Sequence, residues 1–164
     1  MPLKMRLIGL LILLFAFFSG CTSAPCMDRQ TSAVAVWDLE NLNPAETIVP
    51  GMGELLAAEV IETLKESGVF QMVERERLIL VLEELSLGSS SLVDEATRLK
   101  IGRIVGARFM VFGGYFVLGN MMRLDLRLVE VETGRIVKAA QKTASAGDLA
   151  GWLRIAGQAA KEMI

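Results

Sequence analysis

The chain has two cysteines, Cys21 and Cys26, and no histidine. Without imidazole there is no Ser-His-Asp triad, no histidine general base and no imidazole metal site. Carboxylate catalysis needs acids set apart by their surroundings, and none of the 19 Asp and Glu residues is singled out in that way by its place in the sequence. The sequence therefore predicts no catalytic residue, no metal ligand and no cofactor, and a chain that is not an enzyme. The thiols remain. They lie within FAFFSGCTSAPC, residues 15 to 26, directly after an apolar run. Two roles suit them: a disulfide staple for a small secreted fold, or a cysteine that carries lipid.

The flanking residues decide between the two. Lys4 and Arg6 form a short basic region, and Leu7 to Phe18 is apolar or Gly throughout. As a helix, those twelve residues would cover about 18 Å, against the roughly 30 Å of hydrocarbon that a spanning helix crosses. The run thus reads as a signal peptide, residues 1–20, rather than a transmembrane anchor. Ser19 and Gly20 are small and stand immediately before Cys21, where a peptidase needs room. Phe18-Ser19-Gly20-Cys21 resembles the bacterial lipobox, with Phe18 in place of the usual Leu. That resemblance implies a lipoprotein in which Cys21 is diacylated, the signal is cut before it, and the new amino group is acylated. Stable anchoring takes at least two acyl chains, and three palmitate-class chains on Cys21 would supply a membrane anchor. Thr22 stands where inner-membrane retention usually shows Asp, so by resemblance the expected location is the periplasmic face of the outer membrane. Cys26 is then a solvated thiol in the tether.

Removal of the signal changes the bulk balance. The whole chain is 52% hydrophobic, but residues 1 to 20 hold no acid and two of the 17 bases. Residues 21 to 164 keep 15 bases against all 19 acids, a net charge of −4. Those 144 residues suffice for one ordinary domain with a core of its own. Mild acidity argues against a nucleic-acid footprint, which would show as clustered Lys and Arg.

Residues 21–32 are small and polar and read as a lipidated flexible tether, which leaves 33–164 as the folded domain. Ala33 to Trp37 is apolar on both faces, as a covered central strand requires. Pro44 to Pro50 reads as a loop. Gly51 to Ser67 places Leu56, Ala57, Val60, Ile61 and Leu64 on one helical stripe, and Gly68 supplies its cap. Val69 to Glu74 is a short strand, and Arg75 to Leu85 a helix with Leu78, Val81, Leu82 and Leu85 facing inward. Gly88 to Ser91 breaks it. A third helix covers about Asp94 to Val105 and ends at Gly106. Three strands follow: Arg108 to Val117, Met122 to Val131 and Arg135 to Thr143. The middle one alternates Met122, Leu124, Leu126 and Leu128 with Arg123, Asp125 and Arg127, the pattern of a sheet with one wet face. Asp148 caps a last helix whose stripe is Leu149, Trp152, Leu153, Ala156 and Ala160. The expected fold is an α/β (α+β) sandwich, a mixed sheet of about five strands with about four helices in the order β-α-β-α-α-β-β-β-α.

Five pieces of this chain occur in the order of the CsgG family. They are Val34-Ala35-Val36-Trp37-Asp38, Val73-Glu74-Arg75-Glu76-Arg77-Leu78, Ile101-Gly102-Arg103-Ile104-Val105-Gly106-Ala107, a strand ending in Gly113, and Val129-Glu130-Val131-Glu132-Thr133-Gly134-Arg135-Ile136-Val137. The resemblance covers about residues 33 to 143 and implies a fold related to the amino-terminal domain of TolB. It implies a non-catalytic binding or assembly module for a secretion, curli-like fibre or envelope apparatus. Related readings by the same resemblance are a lipoprotein activator of a penicillin-binding protein, acting in peptidoglycan synthesis, and a FlgO-like flagellar lipoprotein. The implied partners are the membrane, through lipid on Cys21, and periplasmic proteins, with a homo-oligomer as one available state. No nucleic acid and no small-molecule substrate is expected. Gly102, Gly106 and Gly113 read as close-packing and turn positions rather than a phosphate loop. Glu74 to Arg77 reads as a solvated or locally paired run, and the nine methionines as core filler.

Curli-type channels, by the same resemblance, insert one membrane hairpin between the third and fourth strands and another between the last strand and the final helix. A membrane strand takes about 9 to 11 residues. The first junction here is Leu118 to Met121 and the second Ala144 to Gly147. The sequence therefore predicts the periplasmic domain of the family without its pore.

Overall fold

The computed structural model describes residues 31–43, 50–85 and 94–164, and Thr31–Ile164 form one compact unit. The expected signal peptide, Cys21, Cys26, nearly all of the expected tether, most of the expected loop from Pro44 and the expected break at Gly88 to Ser91 lie outside the described residues.

The elements in chain order are β1 (Ser32–Val36), β2 (Glu40–Asn41), α1 (Met52–Glu66), β3 (Phe70–Met72), α2 (Arg75–Glu84), α3 (Glu95–Ile104), β4 (Phe109–Leu118), β5 (Met121–Glu130), β6 (Ile136–Ser145) and α4 (Leu149–Lys161). The expected order of strands and helices is present. β2 is an addition that the sequence reading lacked. It has two residues and no apolar alternation, and tertiary contacts hold it in place. It pairs with β4 at Gly114 and Tyr115, Leu42 N donates to the Tyr115 carbonyl, and Val117 N donates to Asn43 Oδ1.

The six-stranded sheet runs β3-β1-β4-β5-β6, with β2 also alongside β4. β1 is parallel to β3 and β4, and β4, β5 and β6 are antiparallel neighbours. Ten rungs join β4 to β5, from Phe109 opposite Glu130 to Leu118 opposite Met121, so Gly119 and Asn120 alone make the turn. The path from β6 to α4 is Ala146 to Asp148. Both junctions are too short for a pair of membrane strands.

One face of the sheet is closed. α1 and α4 cover it, and Val34, Val36, Val111, Met122, Leu124, Leu126 and Leu128 are buried against Leu56, Val60 and Leu64 of α1 and Trp152, Ile155, Ala156 and Ala160 of α4. The two helices approach closely because Gly157 has no side chain; a Cβ there would stand 3.0 Å from Glu59 Oε1 and 3.2 Å from Thr63 Oγ1. On the opposite face, α2 and α3 pack Leu78, Val81, Leu82 and Ile101 onto Ala35, Trp37, Met110 and Phe112. They reach β5 only at Val129 and leave the rest of β5 and β6 open on that face. Met52, Met110, Met122 and Met163 are fully buried, in keeping with a core-filling role.

Two residues expected on buried stripes are exposed instead. Leu85 is 39% exposed and Leu149 48% exposed. Leu85 caps α2 and Leu149 is the first residue of α4. Helical periodicity continues to the last residue of a pattern, but a helix end that overruns its neighbour has nothing to bury against.

Candidate functional site

Three arginines mark the open half of the sheet. β5 alternates strictly, so with Met122, Leu124, Leu126 and Leu128 inward, Arg123, Asp125 and Arg127 project from the opposite face. Each of three guanidinium groups there lies over an aromatic ring and meets a carboxylate. Arg123 Cζ is 5.7 Å from the Phe116 ring centroid, and its Nε and Nη2 donate to Asp125 at 2.9 and 2.8 Å. Arg127 Cζ is 5.8 Å from the Phe112 centroid, and its Nη2 donates to Glu95 Oε2 at 2.8 Å. Arg98, on α3, is buried beside Trp37 at 5.5 Å and pairs with Glu40 of β2. The Asp125 carboxylate holds the Arg123 guanidinium above its ordinary pKa through hydrogen bonds and charge. Cation–π contact and ion pairing together fix these flat cationic planes in position.

Beside Arg98 and Arg127 lies a groove of about 440 Å³, lined in part by Glu40, Gly114, Asp125, Ala139 and Gln141. Its floor is low because Gly114 and Ala139 are small. At Gly114 a Cβ would stand 3.1 Å from the Leu42 side chain and 3.2 Å from the Glu40 carbonyl, so the glycine lets β2 press onto β4. The groove offers an apolar floor, oriented guanidinium planes and half-exposed carboxylates, which suits recognition of another surface. Among the described residues no group of three Asp, Glu, Cys or His is placed to hold a metal ion, and no buried side-chain nitrogen or oxygen lacks a hydrogen-bond partner.

A second charged pair ties two of the sequence motifs together. Arg75 donates from Nε and Nη2 to Asp38 at 3.1 and 2.8 Å, with Glu54 at 3.7 Å. Asp38 raises the Arg75 pKa, chiefly through the hydrogen bonds. Part of the Glu74 to Arg77 run is thus paired across the fold, to residues of the β1 segment and of α1. The glycines behave as expected. A Cβ on Gly102 would stand 2.5 Å from Met110 Sδ, one on Gly113 would stand 2.7 Å from the Asp125 carbonyl, and Gly106 turns the chain out of α3 with φ of +77°.

Cys21, the one site residue the sequence singles out, lies outside the described residues. The sequence reading missed the Arg98–Glu40 and Arg127–Glu95 pairs. The alternation of Arg123, Asp125 and Arg127 was the available signal for an open face, but their partners come from distant segments.

A family described as curli production assembly/transport component CsgG matches residues 25–120. The match ends in the β4–β5 turn, so β5, β6 and α4 follow it. No curated protein matches the chain. Among solved structures, the LpoB C-terminal domain from Salmonella enterica is similar in fold, with 23% identity, a TM-score of 0.58, and coverage of 70% of this chain and 82% of that one. A PelC dodecamer from Paraburkholderia phytofirmans gives 20% identity and a TM-score of 0.53 over 87% of this chain and 91% of that one. Lipoprotein GNA1162 from Neisseria meningitidis gives 12% identity and a TM-score of 0.56 over 80% of this chain and 96% of that one. No described helix is long and apolar enough to cross a membrane.

Proposed function

The chain belongs to the CsgG family, whose match spans more than half of its residues, and from that premise we propose that it is a lipid-anchored, non-catalytic binding or assembly module on the periplasmic face of the outer membrane. It serves a secretion, curli-like fibre or envelope apparatus through protein contacts, and contributes no strands to a membrane pore. The observation that carries the reading is the family match joined to two short junctions: Gly119 and Asn120 between β4 and β5, and Ala146 to Asp148 between β6 and α4. The lipobox-like Phe18-Ser19-Gly20-Cys21 supports Cys21 as the lipidated residue. About eleven tether residues have a root-mean-square span of roughly 18 Å. That reach favours an apparatus at the membrane over a cell-wall synthase deeper in the periplasm.

Metabolic labelling with a fatty-acid analogue tests the anchor. The protein takes up label and fractionates with the outer membrane, and Cys21→Ser loses the label and appears as a soluble or unprocessed form. Label that persists in Cys21→Ser overturns the assignment.

A further inference from the structure

β6 pairs with β5 on one side, and among the described residues no strand pairs with its other side. An unpaired edge presents a row of N–H and C=O groups to any extended chain, and proteins usually blunt it with short strands, proline, bulges or inward-pointing charges, so a strand that adds must answer such charges. β6 is ten residues long and has no proline, its ladder to β5 is irregular only at Val137, and Ala139, Gln141 and Thr143 on its open face are uncharged. Its two charges are Lys138 and Lys142. They stand opposite Leu128 and Leu124 on the closed face, where Lys138 Nζ donates to the Ile164 carbonyl and Lys142 Nζ to Glu162 Oε1. An ammonium has three donors, so each retains two for an incoming group. No acid lies on β6, although the chain as a whole carries a net charge of −2.

We propose that the free edge of β6 is a strand-addition site for an extended acidic peptide. Main-chain hydrogen bonds to β6 hold the peptide, and two of its carboxylates, four residues apart, meet Lys138 and Lys142. The spacing follows from strand geometry: residues four apart share a face and lie about 13 Å from each other, and an added strand has the same repeat. On its other face the peptide sets apolar side chains beside Ala139 and Thr143, which extends the open half of the sheet. Backbone bonds supply affinity in such additions and side chains supply selectivity. A second copy of β6 is a poorer occupant, because strand against strand gathers four lysines and no acid. This site goes beyond the anchored-module reading and does not depend on lipid at Cys21.

The test titrates the purified full chain with a synthetic ten-residue peptide of alternating Thr and Val carrying Glu at its third and seventh positions. The expected result is saturable binding that slows hydrogen exchange at β6 amides. Methylation of alternate peptide amides abolishes it. Lysine in place of both glutamates weakens binding by about tenfold or more, as does K138E/K142E in the chain. The lysine peptide binds the double variant again, which shows that the variant is folded. Failure of the glutamate peptide to bind overturns the proposal. So does equal binding of the methylated peptide, or a β6 edge that sedimentation and exchange show already occupied by a second copy.

Discussion

On one face of β5, Met122, Leu124, Leu126 and Leu128 are buried beneath α1 and α4; on the other, Arg123, Asp125 and Arg127 stand half-exposed, each with its charge partner. The same ten residues meet two environments because α2 and α3 cover only the Val129 end of β5 and leave Arg123 to Arg127 without a helix over them. Closed-face side chains are held by packing, where a missing methyl leaves a void. Open-face side chains are held by ion pairs in solvent, which contribute little to stability and are free to meet another surface. The difference separates what keeps this domain folded from what it offers to a partner.

Substitutions should reproduce that division. Leu124→Ala removes a fully buried side chain from the closed face and should cost about 3 kcal/mol, read as a lower denaturant midpoint with unchanged slope. Gly53→Ala should come next, at about 2 kcal/mol, because its Cβ would stand 2.0 Å from the Leu39 carbonyl oxygen. Arg75→Ala breaks the link to Asp38 and should cost about 1 kcal/mol. Arg127→Ala, with both partners half-exposed, should cost at most about 0.5 kcal/mol. An Arg127→Ala loss as large as that of Leu124→Ala would break the division, and would make the open face structural.

The smallest effect is a pH dependence. Asp94 accepts the Thr97 N–H at the start of α3, and that hydrogen bond holds its pKa below the ordinary 3.8. A depressed carboxylate stabilises the fold above its unfolded pKa and loses that contribution as pH falls through the folded value. Asp94→Asn should therefore flatten the acid limb of the stability profile below pH 3.8, with little change at neutral pH. An unchanged acid limb would remove Asp94 from the account.

Much of this division was legible in the sequence, because alternation along β5 names its wet and dry faces whatever packs on them. The stripe of Leu56, Val60 and Leu64 likewise fixed a helix and its buried side. Other features depend on residues far apart in the chain. Glu40 meets Arg98, Glu95 meets Arg127 and Asp38 meets Arg75 only once the sheet has formed. β2 has no periodicity of its own and exists because β4 offers it hydrogen bonds. The open groove is equally a product of where α3 begins and Gly114 lies, which no local pattern encodes.

The central claim is that this domain works through its exposed surface and not through a pore. Unpaired backbone groups in lipid cost several kcal/mol each, and the two-residue turn at Gly119 and Asn120 supplies no strands to pair them. Leu118, 69% exposed beside that turn, is the apolar residue best placed to contest the claim. The measurement is conductance across planar bilayers containing the purified protein, at densities where microscopy sees any ring assembly. The account predicts no discrete channel steps. Stable single-channel steps that vanish when Leu118 to Met121 is altered would contradict it.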